Sequence, residues 1–272
     1  MANLFSVAGK VCVVTGGLGQ LGRAFTNHLV GEGARVAVYS RRPVDKATVE
    51  ELYPGAGDKV RVLVASVADK EALQAATDEV VTDWGVPHVL VNNAGIDSKP
   101  TGSAEQNGPF ETYPQEFWDE VIDVNLTGVM LTTQVIGAKM ADERRGSIIN
   151  VGSMYGIVSP NQALYAYREK RDGTPFYKAV AYAASKSGLV NLTRYVATYW
   201  APKNVRCNLI TFGGVKTANF DQEFIDAFLQ RVPLGRQAEV EEFMGVVQFL
   251  ASDASTYMTG SNTVVDGGFT AW

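Results

Sequence analysis

The sequence predicts an α/β fold, a parallel β-sheet with helices on both faces, built as one domain over 1–272. Short runs rich in β-branched residues alternate with helix-length segments whose apolar residues recur three and four apart. One such run passes directly into a glycine cluster and then a helix, at TGGLGQLG (15–22). The chain has 272 residues, 46% of them hydrophobic, with no internal repeat, low-complexity stretch or linker. An α/β chain of that size can bury a large core in a single domain.

The first strand is expected at 11–15 (VCVVT). The glycines after it, Gly17, Gly19 and Gly22, spell G-x-G-x-x-G, and a helix from Leu21 to Val30 follows. Backbone N–H groups and the positive end of that helix then converge where a pyrophosphate binds, although a structural tight turn uses glycine as well. The second strand, 35–40 (RVAVYS), ends at Ser40, Arg41 and Arg42, with no acid before Asp45. A unit that binds NAD places an acid there for the ribose 2′-hydroxyl, whereas two arginines favour a 2′-phosphate; the plain alternative is a pair of solvated loop residues. The third strand is 60–65. A helix over 69–84 opens on acidic residues, carries Leu73, Ala76, Val80 and Trp84 on one stripe, and stops at Gly85. Further strands are expected at 88–93, 147–151, 205–211 and 262–265.

Composition narrows the partners. A net charge of −5 with no block of like charges argues against a nucleic-acid or anionic-membrane surface. No apolar run reaches the roughly 18 residues of a membrane span, and MANLFSVAGK lacks the features of a signal peptide, so the expected location is cytoplasmic. Cys12 and Cys207 sit inside apolar runs, which suits free buried thiols. His28 and His88 are the only histidines, so a Ser-His-Asp hydrolase or a histidine-rich metal site has little to build on, and no metal is expected.

Tyr182 and Lys186 are four apart, so on a helix they share a face. Lowering a phenol from near 10 to about 7 takes roughly 4 kcal/mol, which a cation about 4 Å away in a partly desolvated site supplies. Lys186 is therefore the expected tuner of Tyr182, with Tyr177 the next candidate tyrosine. Tyr-x-x-x-Lys alone is more often an amphipathic surface. Ser153 stands at the C-terminal end of a strand, where open α/β sheets place their ligands, and can donate a hydrogen bond to a carbonyl oxygen.

Taken in order, TGGLGQLG, NNAG (92–95), Asn125 in VNLTG, Ser153 after SIINV, Tyr182 and Lys186 in YAASK, and TGSNTVVDGG (259–268) resemble the short-chain dehydrogenase/reductase family over nearly the whole chain. The resemblance implies a Rossmann-type, doubly wound sheet of seven parallel strands, a nicotinamide cofactor, and hydride transfer to or from a carbonyl carbon. A homotetramer or homodimer is also implied. The catalytic set it implies is Asn125, Ser153, Tyr182 and Lys186, with Asn125 holding a water that links Lys186 to solvent. For the cofactor it implies Thr15, Gly16, Gly17, Gln20, Leu21 and Gly22, then Ser40, Arg41 and Arg42, Ser66 and Val67, Asn93, Ala94 and Gly95. Gly213, Val215 and Thr217 complete that set, with Tyr182 and Lys186 shared. The family's loop reads T-G-x-x-x-G-x-G, so Thr15, Gly16 and Gly22 match while Gln20 replaces the middle glycine. Its amide either points into solvent or contacts a phosphate or ribose. Ser66 stands where an adenine-binding Asp is frequent, Phe212 where proline is usual, and Gly152 where another serine is frequent.

Ser153 and Tyr182 lie 29 residues apart, more than twice the family's usual spacing. The extra segment, 154–181, is expected to be a substrate lid or a subunit contact; a solvated excursion is the plain alternative. Its Arg168, Lys170, Arg171 and Lys178 outnumber Glu169 and Asp172. With the GGFTAW ending, the segment resembles a subgroup associated with bacterial sugar and surface-polysaccharide metabolism. The function expected is an oxidoreductase preferring NADP(H), with NAD(H) the other candidate, that acts on a small-molecule alcohol or ketone, sugar-derived or a polyol. The alternatives are a β-ketoacyl carrier-protein reductase and, from another class, a cofactor-sensing binding protein without turnover.

Overall fold

Val11–Thr15 (β1) is buried at every position, as a strand covered on both faces must be. The computed structural model describes residues 3–97, 106–217 and 220–272. The further strands are Arg35–Ser40 (β2), Val60–Val64 (β3), Val89–Asn92 (β4), Gly146–Val151 (β5), Val205–Phe212 (β6) and Asn262–Val265 (β7). They form the expected sheet of seven, in the order β3-β2-β1-β4-β5-β6-β7, every pairing parallel. The chain leaves β1 toward β2 on one side and resumes at β4 on the other. That reversal opens a crevice at the C-terminal ends of β1 and β4, where doubly wound sheets bind ligands.

Helices close both faces. Gln20–Gly31 (α1) brings Phe25 and Leu29, and Met244–Ala251 (α9) brings Val247 and Leu250, to one core. Lys70–Trp84 (α3) brings Leu73, Ala76 and Val80 to the other, beside Ile136 and Met140. The Asp69 side chain caps α3 by accepting from the Ala72 N–H, and Gly85, at φ 89°, ends it where a Cβ would be strained. Lys46–Leu52 (α2) is a short helix behind β2, capped by Asp45.

Gln115–Ile122 (α4), a π-helical turn at Asp123–Thr127 and Gly128–Asp142 (α5) run on as one long helix. It is apolar and long enough to cross a membrane by length and composition alone, yet α5 packs on α3 and β5, and α4 on Val180–Trp200 (α7).

The 154–181 segment is folded. It makes 3₁₀ turns at Met154–Gly156 and Gln162–Tyr165 and a short helix at Ala166–Asp172 (α6). Tyr165 stacks between Phe176 and Phe224, the latter on Gln222–Leu229 (α8), with ring centroids 5.4 and 5.3 Å apart, and the row continues through Phe228 to Phe269. The solvated excursion is thus replaced by a third aromatic core. Leu164, Tyr165 and Phe176 supply the apolar surface that holds it down.

Candidate active site

The loop between β1 and α1 is shaped by close backbone approaches. Gly16 has φ +65° and lies against Ala94; a Cβ on Gly17 would stand 2.5 Å from Val38. A Cβ on Gly22 would stand 2.4 Å from the Gly16 carbonyl oxygen and 2.6 Å from the Asn93 amide nitrogen. Gly19 meets nothing nearer than 3.4 Å. The residues that need to be glycine are therefore Gly16, Gly17 and Gly22. The literal G-x-G-x-x-G is partly coincidental. The first backbone bond of α1 runs from Arg23 N to Gly19 O, so the N–H groups of Gln20, Leu21 and Gly22 have no acceptor within the helix. That is the donor set a pyrophosphate requires, and the loop fits one.

Thr15 braces this loop from beneath. Its hydroxyl accepts from the Asn93 and Ala94 N–H groups, both at 3.0 Å, while the Asn93 amide donates back to the carbonyls of Thr15 and Gly16. Thr15 is 1% exposed, so it joins the ends of β1 and β4 and is not itself on the cleft surface. The Gln20 amide takes neither of the two expected roles. It donates to the Lys216 carbonyl at 2.8 Å and ties the glycine loop to the chain after β6.

At the end of β2, Ser40 is buried and hydrogen-bonds within the turn to Arg42, holding it in shape. Arg41 and Arg42 are exposed, and neither pairs with an acid among the described residues. Ser66 accepts from the Ala68 N–H in the turn after β3, and Val67 packs against Gly128 at the start of α5.

Ser153 follows β5, and Tyr182 and Lys186 lie in the first two turns of α7. The expected chemical group is thus brought together. Two adjoining clefts, about 220 and 210 Å³, share Asp97, Ser153, Tyr182, Gly213 and Val215. Gln20 and Thr217 line the first, while Leu21, Asn93, Gly95 and Lys186 line the second. The Lys186 ammonium donates to the Val151 carbonyl at 2.8 Å and lies 5.8 Å from the Tyr182 ring centroid. Burial lowers its pKa to about 8, and Asp97 opposes that shift.

The expected lowering of Tyr182 by Lys186 is not what this arrangement produces. Burial pushes the phenol above its ordinary value and Asp97 adds to the rise, while a hydrogen bond with Ser153 works the other way. The physical reason is that the phenol itself is desolvated, while the Lys186 ammonium stands 5.8 Å from the ring centroid and donates to the Val151 carbonyl. Ser153, 8% exposed, also accepts from the Tyr155 N–H.

Asn125 sits in the π-helical turn, fully buried. Its side chain exchanges two hydrogen bonds with the Ile96 backbone, each 2.8 Å, and donates to Ser185 at 3.2 Å. The extra residue of a π turn is what aims this amide sideways at the strand β4 exit, a use such turns commonly have.

Three groups were missed. Asp97 lies two residues beyond NNAG, and Lys178 was counted only as part of a basic cluster. The structure ion-pairs them in the cleft, with Lys178 over the Tyr182 ring at 4.8 Å. Tyr155 also lines this cleft, as does Tyr165, whereas Tyr177 lines a separate cavity beside Phe110. The two arginines of the basic cluster are ion-paired within the segment and to the start of α8, and neither they nor the exposed Lys170 line this cleft. Arg168 pairs with Asp172 at 2.6 Å, and Arg171 pairs with Asp172 and Asp221 at 2.8 and 3.1 Å.

Both histidines have structural partners, His28 with Gln248, and His88 with the Val11 N–H and Arg145. No group of three or more metal-ligating side chains occurs among the described residues.

A family model described as short chain dehydrogenase matches residues 10–168, and one described as enoyl-(acyl carrier protein) reductase matches 166–270. A 3-oxoacyl-(acyl-carrier-protein) reductase of Thermotoga maritima is 35% identical over 267 residues, 96% of this chain and 97% of that protein. A gluconate 5-dehydrogenase from Burkholderia cenocepacia, solved in complex with NADP and tartrate, superposes with a TM-score of 0.85 at 27% identity, covering 99% of this chain and 98% of the other. A short chain dehydrogenase from Leptospira borgpetersenii with bound NAD+ gives 0.84 at 28% identity, covering 99% and 96%.

Proposed function

This chain belongs to the short-chain dehydrogenase/reductase family, oxidoreductases of alcohols and ketones that use NAD(P), and we propose that it prefers NADP(H) and acts on a sugar-derived or polyol substrate. The observation that carries the reading is the convergence of Ser153, Tyr182 and Lys186 on one cleft beside the glycine loop at the sheet's switch point. We further assign the whole chain to one catalytic domain, with 154–181 as a lid over the substrate.

The nicotinamide supplies or accepts hydride. Gln20, Leu21 and Gly22 receive the pyrophosphate on their N–H groups, Arg41 and Arg42 the 2′-phosphate, and Ser66 and Val67 border the adenine. Gly95, Gly213, Val215 and Thr217 line the nicotinamide end, and Lys186 reaches its ribose. Tyr182, protonated at neutral pH, gives its proton to the carbonyl oxygen during reduction and recovers it during oxidation. The Ser153 hydroxyl donates to the same oxygen, where negative charge develops. Asn125 holds the Ile96 backbone so that the cleft keeps its width.

Two observations support a compact substrate, in a cleft walled by Phe220, Phe224 and Phe228 as well as by Asp97, Ser153 and Lys178. The cleft of about 220 Å³ is small for a ligand site, and Tyr165 of the folded segment forms part of its wall. The Burkholderia cenocepacia gluconate 5-dehydrogenase, similar over nearly its full length, acts on a sugar acid. The rival reading, a β-ketoacyl carrier-protein reductase, is favoured by the Thermotoga maritima relative. A homotetramer or homodimer and a cytoplasmic location complete the proposal.

A panel of keto-sugars, polyols and ketoacyl thioesters, followed at the nicotinamide absorbance with both cofactors, tests it. Turnover confined to thioesters would replace the sugar reading. Cofactor binding without any turnover would favour a sensor.

A further inference from the structure

We propose that Asp97 and Lys178 act together as a reader of the hydroxyl on the carbon next to the reacting one, so that the substrate is a vicinal diol in one direction and an α-hydroxy ketone in the other. The inference rests on the alcohol/ketone reading above and narrows its substrate class.

Lys178 comes from the far end of the inserted segment and is pinned by its own backbone. Its N–H donates to the Gln162 side chain at 2.8 Å, and its carbonyl accepts from the same amide at 3.4 Å. The side chain is 6% exposed, ion-paired to Asp97, and lies 4.8 Å from the Tyr182 ring and 6.0 Å from that of Tyr155. Asp97 reaches the same point from the loop after β4, and its side chain remains 39% exposed. Both groups line the cleft with Ser153 and Tyr182.

Charge decides what such a pair recognises. Arg168 and Arg171 are committed to Asp172 and Asp221, so the only basic group of the segment in the cleft is Lys178, and Asp97 balances it. A substrate carboxylate there would gain the ammonium and face the carboxylate. A hydroxyl accepts from the ammonium and donates to the carboxylate at once, using both partners. Ser153 and Tyr182 take the reacting oxygen, and the Lys178 ammonium, 4.8 Å from the Tyr182 ring centroid, lines the same cleft and is offered to a second oxygen of the substrate.

The test uses two isomers, 2,3-butanediol and 1,3-butanediol, compared at a secondary alcohol carbon: in the first the second hydroxyl adjoins the reacting carbon, and in the second it is a primary hydroxyl one carbon further away. The unsubstituted enzyme should prefer the vicinal isomer in kcat/KM. Lys178→Met should cut that preference by about 10- to 100-fold, mainly through a higher KM for the vicinal isomer. Asp97→Asn, at a partly exposed side chain, should do likewise and serves if Lys178→Met fails to fold. The inference is overturned by no preference in the unsubstituted enzyme, by a preference that survives both substitutions, or by equal losses on both isomers, which would mark a purely structural pair. Turnover of ketoacyl thioesters alone would remove the proposed function as well; polyol turnover with an undisturbed isomer ratio would remove only this inference.

Discussion

Tyr182 carries the sharpest consequences at the scale of single residues. Replacing it with Phe removes the proton donor but leaves the glycine loop, so turnover should fall by about 10²–10⁴-fold while NADPH still binds in a fluorescence titration. Near-normal turnover would point to Tyr155, whose backbone N–H donates to Ser153 and which borders this cleft with Tyr165. The pH dependence has a definite sign. Burial holds the Tyr182 phenol above its ordinary value, so it stays protonated through neutral pH. Ketone reduction, which uses that proton, should be level from about pH 6 to 8, and alcohol oxidation, which needs the phenolate, should climb up to tenfold per unit. An oxidation rate that is flat with pH would contradict the phenol's placement. Arg41 sets a second test. A charge-assisted contact with the 2′-phosphate contributes about 1.5–3 kcal/mol, so NADPH should bind at least tenfold tighter than NADH. Arg41→Ala should narrow the gap, and equal affinities before mutation would sink the NADP assignment.

The β1-loop-α1 unit is the element whose sequence and geometry can be separated most cleanly. Both Gly19 and Gly22 belong to the literal glycine pattern, but only Gly22 is pressed against backbone atoms of the loop. Gly22→Ala should therefore destabilise the fold by roughly 1–3 kcal/mol and weaken cofactor binding, because the Gly16 carbonyl cannot move aside without opening the loop. Gly19→Ala, at φ −77° and with the Gly16 carbonyl oxygen no nearer than 3.4 Å, should shift the unfolding midpoint little. Thermal unfolding of the two variants decides the matter, and similar losses would mean that the register is misread. The order β1, glycine loop, α1 was legible because a buried strand, a tight turn and an amphipathic helix each have a local signature. The Gln20 contact was not. Its partner is the Lys216 carbonyl, 196 positions away, and no local pattern encodes a bond to a distant backbone.

For the molecule as a whole, the two cores on either face of the sheet make the thiols reporters of global opening. Cys12 and Cys207 are fully buried, and burial pushes both thiols up to about 12. Neither should react with a thiol reagent at pH 8 in the native protein, and both should react over the denaturant range in which helical signal is lost. Fast labelling of either under native conditions would mean local opening of β1 or β6. The sequence by itself determined the fold class, because the alternation of strand and helix periods and the placement of glycine after the first strand are short-range properties. Ser153, Tyr182 and Lys186 were marked by the ordered motifs that resemble the family, since a spacing of four along one helix does not by itself single out a tyrosine. The tertiary structure decided what surrounds them. It folded 154–181 onto Phe224 and spent Arg168 and Arg171 on acids outside the cleft. It also brought Lys178 to Asp97, 81 positions earlier, and buried the Tyr182 phenol so that its pKa rises. These outcomes depend on desolvation and on pairings between segments far apart in the chain, quantities that exist only once the sheet and its helices have closed around them.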